Sequence, residues 1–63
     1  MAADLGPLHA AVHDDWDLAR NIADRAGADR RSAGQKLAAL EKQGFVESKW
    51  DEGLRLTWWR RAR

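Results

Sequence analysis

With 63 residues the chain has room for one domain, 1–63, and a thin core worth roughly 3–5 kcal/mol. It has no cysteine, which excludes disulfides and thiolate-zinc stapling, and it has neither an apolar run able to span a bilayer nor a signal-peptide pattern; we therefore expect a cytoplasmic protein with no membrane contact. The net charge of +1 hides an asymmetry: residues 1–29 carry six Asp against Arg20 and Arg25, while residues 30–63 carry nine Arg or Lys against four acids, so the second half is basic, as expected of a surface that meets phosphates.

In chain order, Met1 to Ala3 are expected to fray. Pro7 suits the first turn of a helix, with Asp4 near its start. Leu8, Ala11 and Val12, joined by Leu5, make its apolar stripe, and we expect this first helix over residues 6–14. His9 and His13 stand four apart on it, a spacing that can hold a metal. No Glu follows the first His and no third ligand is apparent, so no metal is assigned.

The run Asp14-Asp15-Trp16-Asp17 is punctuation. Asp17 is placed to cap a second helix, Leu18 to Ala26, which Gly27 ends. Leu18 and Ile22 align along it beside Ala19, Ala23 and Ala26. Trp16, just outside the cap, is expected to pack into the core over the helix entry.

Only Gly27 and Ala28 precede the next cap, Asp29. Two helices joined by so short a turn form a helix-turn-helix, whose second helix crosses the first steeply and keeps its outer face exposed. That helix runs from Asp29 to Gly44. At 100° per residue Ala33, Leu37 and Leu40 share one stripe. Arg31, Gln35, Ala38 and Lys42 share the opposite one, with Ala39 at its edge. A solvated face is usually longer and more charged; this one suits a flat, negative partner.

After Gly44 the period becomes alternating. Phe45 to Trp50 reads as a strand, Asp51-Glu52-Gly53 as a tight turn with positive φ at the glycine, and Leu54 to Trp59 as the returning strand. Leu54, Leu56 and Trp58 are assigned inward. Trp59 and Trp50 then form an exposed apolar patch for a homodimer or protein partner. The tail, residues 60–63, is expected to be basic and mobile.

Helix, helix, turn, helix and a two-stranded antiparallel hairpin is an α+β arrangement, the winged helix. The segment IADRAGADRRSAGQKLAALEKQGFVES resembles the helix-turn-helix of bacterial and archaeal winged-helix regulators of the multiple-antibiotic-resistance and arsenical-resistance kinds. Their Leu-Ala before the turn Gly is matched by Ile22-Ala23 and Gly27. Their Leu-x-x-Leu-Glu-x-x-Gly-Leu-Val is matched by Leu37, Leu40, Glu41, Gly44, Phe45 and Val46. The likeness is strongest over Leu18 to Thr57. Such regulators often carry long flanking helices for dimerisation or effector binding; neither an effector pocket nor a helical dimer is expected from these 63 residues. The domain is also similar in length to Z-form nucleic-acid binders, but their Asn and Tyr fall here on Gly34 and Ala38, so that resemblance fails at its chemistry.

The resemblance implies a recognition helix over residues 29–43 for double-stranded DNA, and a small transcriptional regulator. Arg31 can donate two bonds to guanine, Gln35 can pair with adenine, and Ala38 can touch a thymine methyl. Lys42 lies on the same stripe. Arg30 and Ser32 flank it and suit phosphates. Gly34 costs roughly 1 kcal/mol relative to Ala, which a close approach to DNA or to the second helix would account for. Lys49 and Arg55 lie on the wing, and Arg60 and Arg61 in the tail add salt-sensitive affinity. The reading from another class is a winged-helix module for protein contact within a larger assembly. An enzyme is not expected, and no cofactor is assigned: there is no phosphate-cradling Gly loop, no Cys and no carboxylate pair in a cleft.

Overall fold

The computed structural model describes residues 6–63. Its elements are α1 (Gly6–Ala10), β1 (Asp17–Leu18), α2 (Ala19–Ala26), α3 (Arg30–Lys42), β2 (Val46–Asp51) and β3 (Leu56–Arg61). The class is α+β. Three helices pack against an antiparallel three-stranded sheet of order β1-β3-β2, rather than a two-stranded hairpin. The added strand is short: Asp17 pairs with Trp59 and Leu18 with Trp58. The expectations for Met1–Ala3, Asp4 and Leu5 lie outside the described residues. No helix among the described residues is long and apolar enough to cross a membrane.

The first helix stops at Ala10, not at residue 14, and the carbonyls beyond it are claimed from a distance. Arg25 donates to the Ala11 carbonyl through Nη2 at 2.7 Å, and Arg61 donates to Val12 through Nε at 2.7 Å. The Arg61 backbone N–H donates to the His13 carbonyl at 2.9 Å. The Val12 N–H donates to the His9 carbonyl at 3.1 Å, three residues back, a tightened last turn that ends the helical ladder there. His9 and His13 therefore do not share a helix; His9 meets the Phe45 ring edge-on. Leu8, Ala11 and Val12 are buried as the periodicity requires.

Asp17 does not cap α2. Pairing with Trp59 draws it into β1 and leaves Leu18 at the N-cap without a side-chain bond. Asp17 instead gathers Arg25 at 2.7 Å, the Leu18 N–H at 2.8 Å and the Asn21 amide at 3.1 Å. Partial burial pushes its carboxyl up, but these three bonds outweigh it and hold the group below its ordinary value.

Both long helices end alike. Gly27 and Gly44 take φ of 66° and 87°, the left-handed region open to glycine. The next residue then donates back into the helix: Ala28 to Ala23 at 2.8 Å and Phe45 to Leu40 at 3.0 Å. These closures turn the chain sharply after α2 and again before β2.

Ile22 and Ala23 of α2 meet Ala33, Leu37 and Leu40 of α3, with Val46 and Trp59 closing the core from the sheet. Here the tryptophans reverse the expectation. Trp59 is 7% exposed and faces the helices. Trp58 lies half-buried on the outer face, its Nε1 donating to Asp51 at 3.0 Å. The cause is the turn. It takes residues 52–55, so Leu54 precedes the strand and is 62% exposed. The register sets Ser48 opposite Trp59 and Val46 opposite Arg61, so Trp59 shares the face of buried Val46. The positive φ falls on Arg55, at 54°, not on Gly53.

Trp16 is not core either. It is half-buried on the outer sheet face, with the Arg60 guanidinium 4.2 Å and the Lys49 ammonium 4.6 Å from its ring centre.

Candidate nucleic-acid interface

Helix α3 is oriented by its two ends and its apolar stripe. Asp29 caps it, accepting from the Arg31 N–H at 2.9 Å. Ala33 and Leu37 are fully buried and Leu40 nearly so. The opposite stripe therefore points away from the protein, and Arg31, Gln35, Ala38 and Lys42 are all exposed. At about 1.5 Å per residue the helix offers a rod roughly 20 Å long, narrow enough for a groove about 12 Å wide.

Two neighbouring arginines have different surroundings. Arg30 is anchored: Nε and Nη2 donate to the two carboxylate oxygens of Asp24 at 2.8 and 2.6 Å. Its bond holds the Asp24 carboxyl below the usual range, and Asp24 in turn raises the guanidinium. This fork ties the start of α3 to α2. The Arg31 side chain has no hydrogen-bond or ionic partner among the described residues, nor do Gln35, Lys36 or Lys42. The outer stripe is thus chemically unspent. Ser32 is half-buried, its hydroxyl turned to the Asp29 carbonyl at 3.4 Å.

Gly34 has no neighbour within 4 Å of where a Cβ would stand, so no close approach to α2 explains it. It borders a hollow of about 370 Å3 between the start of α2, α3 and β3, with Arg20, Leu56 and Thr57 around it. Arg20 was not among the residues expected here. It stands at the second position of α2, beside first-turn N–H groups that no side chain caps, and it is exposed. Lys36, one turn from Ser32 and also exposed, was missed because it lies off the stripe.

The hairpin residues separate into two groups. Arg55 is exposed in the turn linking β2 and β3, with no side-chain partner among the described residues. Lys49 is exposed but laid over Trp16. Arg60 and Arg61 do not form a mobile tail: both lie in β3. Arg60 pairs with Glu47 and covers Trp16, and Arg61 holds the end of α1. They were expected to be free because their partners are far away in sequence. Of the proposed interface pair, Trp59 is withdrawn into the core while Trp50 is 59% exposed.

Among the described residues no group of three His, Cys, Asp or Glu side chains is placed to hold a metal ion. Comparison with protein-family models, curated proteins and solved structures found no match for the chain.

Proposed function

We propose that this chain is a winged-helix DNA-binding module that lays α3 in the major groove of a duplex and sets the β2–β3 hairpin against the flanking backbone as a wing. The observation that carries the reading is the outward stripe of α3, where Arg31, Gln35, Ala38 and Lys42 stand exposed without internal partners. An unpaired guanidinium near the start of such a helix matches a guanine edge, a carboxamide one turn on matches adenine, and Ala38 leaves room for a thymine methyl. Arg30, already forked onto Asp24, contributes positive potential and a fixed helix angle rather than base contact. Lys42 and Lys49, with Arg55 at the wing tip, suit phosphates, and Ser32 and Gly34 keep the flanks of the helix low. The role is that of a small transcriptional regulator, acting in the cytoplasm at the nucleoid, without catalysis.

Selection of preferred duplexes from a random pool, followed by titration at two salt concentrations, tests this. A preferred site whose affinity falls steeply with salt supports it. Equal, weak binding to all duplexes removes the sequence-reading role. The exposed Trp50 favours a second use, contact with protein, which is taken up next.

A further inference from the structure

We propose that two copies of this chain pair edge to edge through β2, antiparallel and centred on Ser48, joining two three-stranded sheets into one of six strands. This does not rest on the nucleic-acid reading.

In the order β1-β3-β2, the strand β2 is an edge with unpaired backbone groups. The hydrogen bonds show which residues direct them outward. Ala62 donates to the Phe45 carbonyl at 3.2 Å, so Phe45 turns toward the β3 side. The Ser48 N–H is taken by the Glu41 carboxylate at 3.1 Å instead of by β3. By alternation Val46, Ser48 and Trp50 direct their N–H and C=O groups away from β3; Val46 is 2% exposed and already covered, so the open run of the edge is Ser48 to Trp50.

A two-fold pair must set outward residues opposite outward residues, which allows only alternate registers. Centred on Ser48, Glu47 faces the partner's Lys49 and Lys49 faces the partner's Glu47. Shifting by two residues one way puts Lys49 against the partner's Lys49; the other way puts Glu47 against the partner's Glu47. Only the central register gives opposite charges at both positions, and cross-strand pairs of opposite charge favour pairing where like charges oppose it. In that register Trp50 flanks the paired run, next to the strand end where the partner's Val46 is already buried in its own core. The Trp50 Nε1 already donates to Glu52 at 2.6 Å, so the rest of its ring is carbon seeking cover.

Glu41 guards this edge. The Ser48 N–H and hydroxyl both donate to its Oε2, at 3.1 and 2.6 Å. On pairing, the exposed carboxylate swings back to water and the partner's Ser48 carbonyl takes its place at the N–H. Removing the guard favours the dimer.

Sedimentation of the full chain over a concentration series tests the proposal. The unaltered protein shows a concentration-dependent dimer. Glu47→Lys and Lys49→Glu each weaken self-association at least tenfold, because each sets like charges opposite. An equimolar mixture of these two variants recovers a heterodimer, since each supplies the sign the other lacks. Glu41→Ala tightens the dimer several-fold. A monomer at every concentration, single variants that dimerise like the parent, or a mixture no better than its components would each overturn it. Because Glu47 also pairs with Arg60 and Lys49 lies over Trp16, a second readout uses the unaltered protein: exchange of the Ser48 backbone amide slows as concentration rises, its N–H passing from the exposed Glu41 carboxylate to the partner's carbonyl, and exchange independent of concentration overturns the proposal.

Discussion

Asp24 accepts from Nε and Nη2 of Arg30, at 2.8 and 2.6 Å, while the next residue, Arg31, reaches into solvent. Adjacent guanidinium groups thus have separate work, one inside the molecule and one outside it. Arg31→Ala should cost roughly 1–3 kcal/mol of binding to the preferred duplex and relax its selectivity at one base pair. Arg30→Ala should lower affinity for all duplexes more evenly, because what it loosens is the seating of α3 on α2. Titrating both variants against matched and mismatched duplexes separates the two outcomes.

Arg55 occupies a left-handed conformation that costs a non-glycine residue roughly 1–2 kcal/mol. Arg55→Gly relieves this strain but also frees the unfolded chain, an opposing effect of about 0.4–1 kcal/mol. Denaturant unfolding should therefore show a gain of no more than about 1.6 kcal/mol. Duplex affinity should nevertheless fall and its dependence on salt become shallower, because a cation is lost from the wing tip.

Trp59→Ala should cost about 3–5 kcal/mol, comparable with the entire stability expected of so small a core, and leave the chain largely unfolded. Trp58→Ala should leave a folded domain, since that ring lies outside the core on the outer sheet face and its polar end faces Asp51. Circular dichroism with thermal melts distinguishes them, and the reverse ranking would contradict the strand register described above.

The Asp17 carboxyl titrates below its ordinary value in the folded protein because of its bonds to Arg25, Leu18 and Asn21. A depressed carboxylate stabilises the folded state fully above the unfolded value of about 4, and that contribution disappears as pH falls through the lower folded value. Asp17→Asn should reduce stability at neutral pH and flatten the loss of stability on acidification. Thermal melts between pH 7 and pH 2 measure this, and parallel curves for the variant and the parent would refute it.

The parts legible from sequence were the parts decided locally. Asp29 and Gly44 act within one helical turn of themselves, and Ala33, Leu37 and Leu40 report their shared face through spacing alone. Hence α3 and its outward stripe were readable. The facing of Trp58 and Trp59 was not. Alternation says that adjacent residues differ, but which one turns inward depends on the register across the turn at residues 52–55. Strand β1 has two residues, too few for any period, and it exists only because β3 lies beside it. Arg60 and Arg61 looked like spare charge because Glu47 and the Val12 carbonyl are distant in sequence.

The clasp between Arg61 and the end of α1 joins the last strand to the beginning of the described chain across 49 positions. Release of either end breaks the bonds that hold the other, so among the described residues the two ends are expected to open together. Slow amide exchange should then disappear from helices and sheet together, with one shared opening free energy. A shortened version ending before Arg61 should lose cooperativity as well as charge.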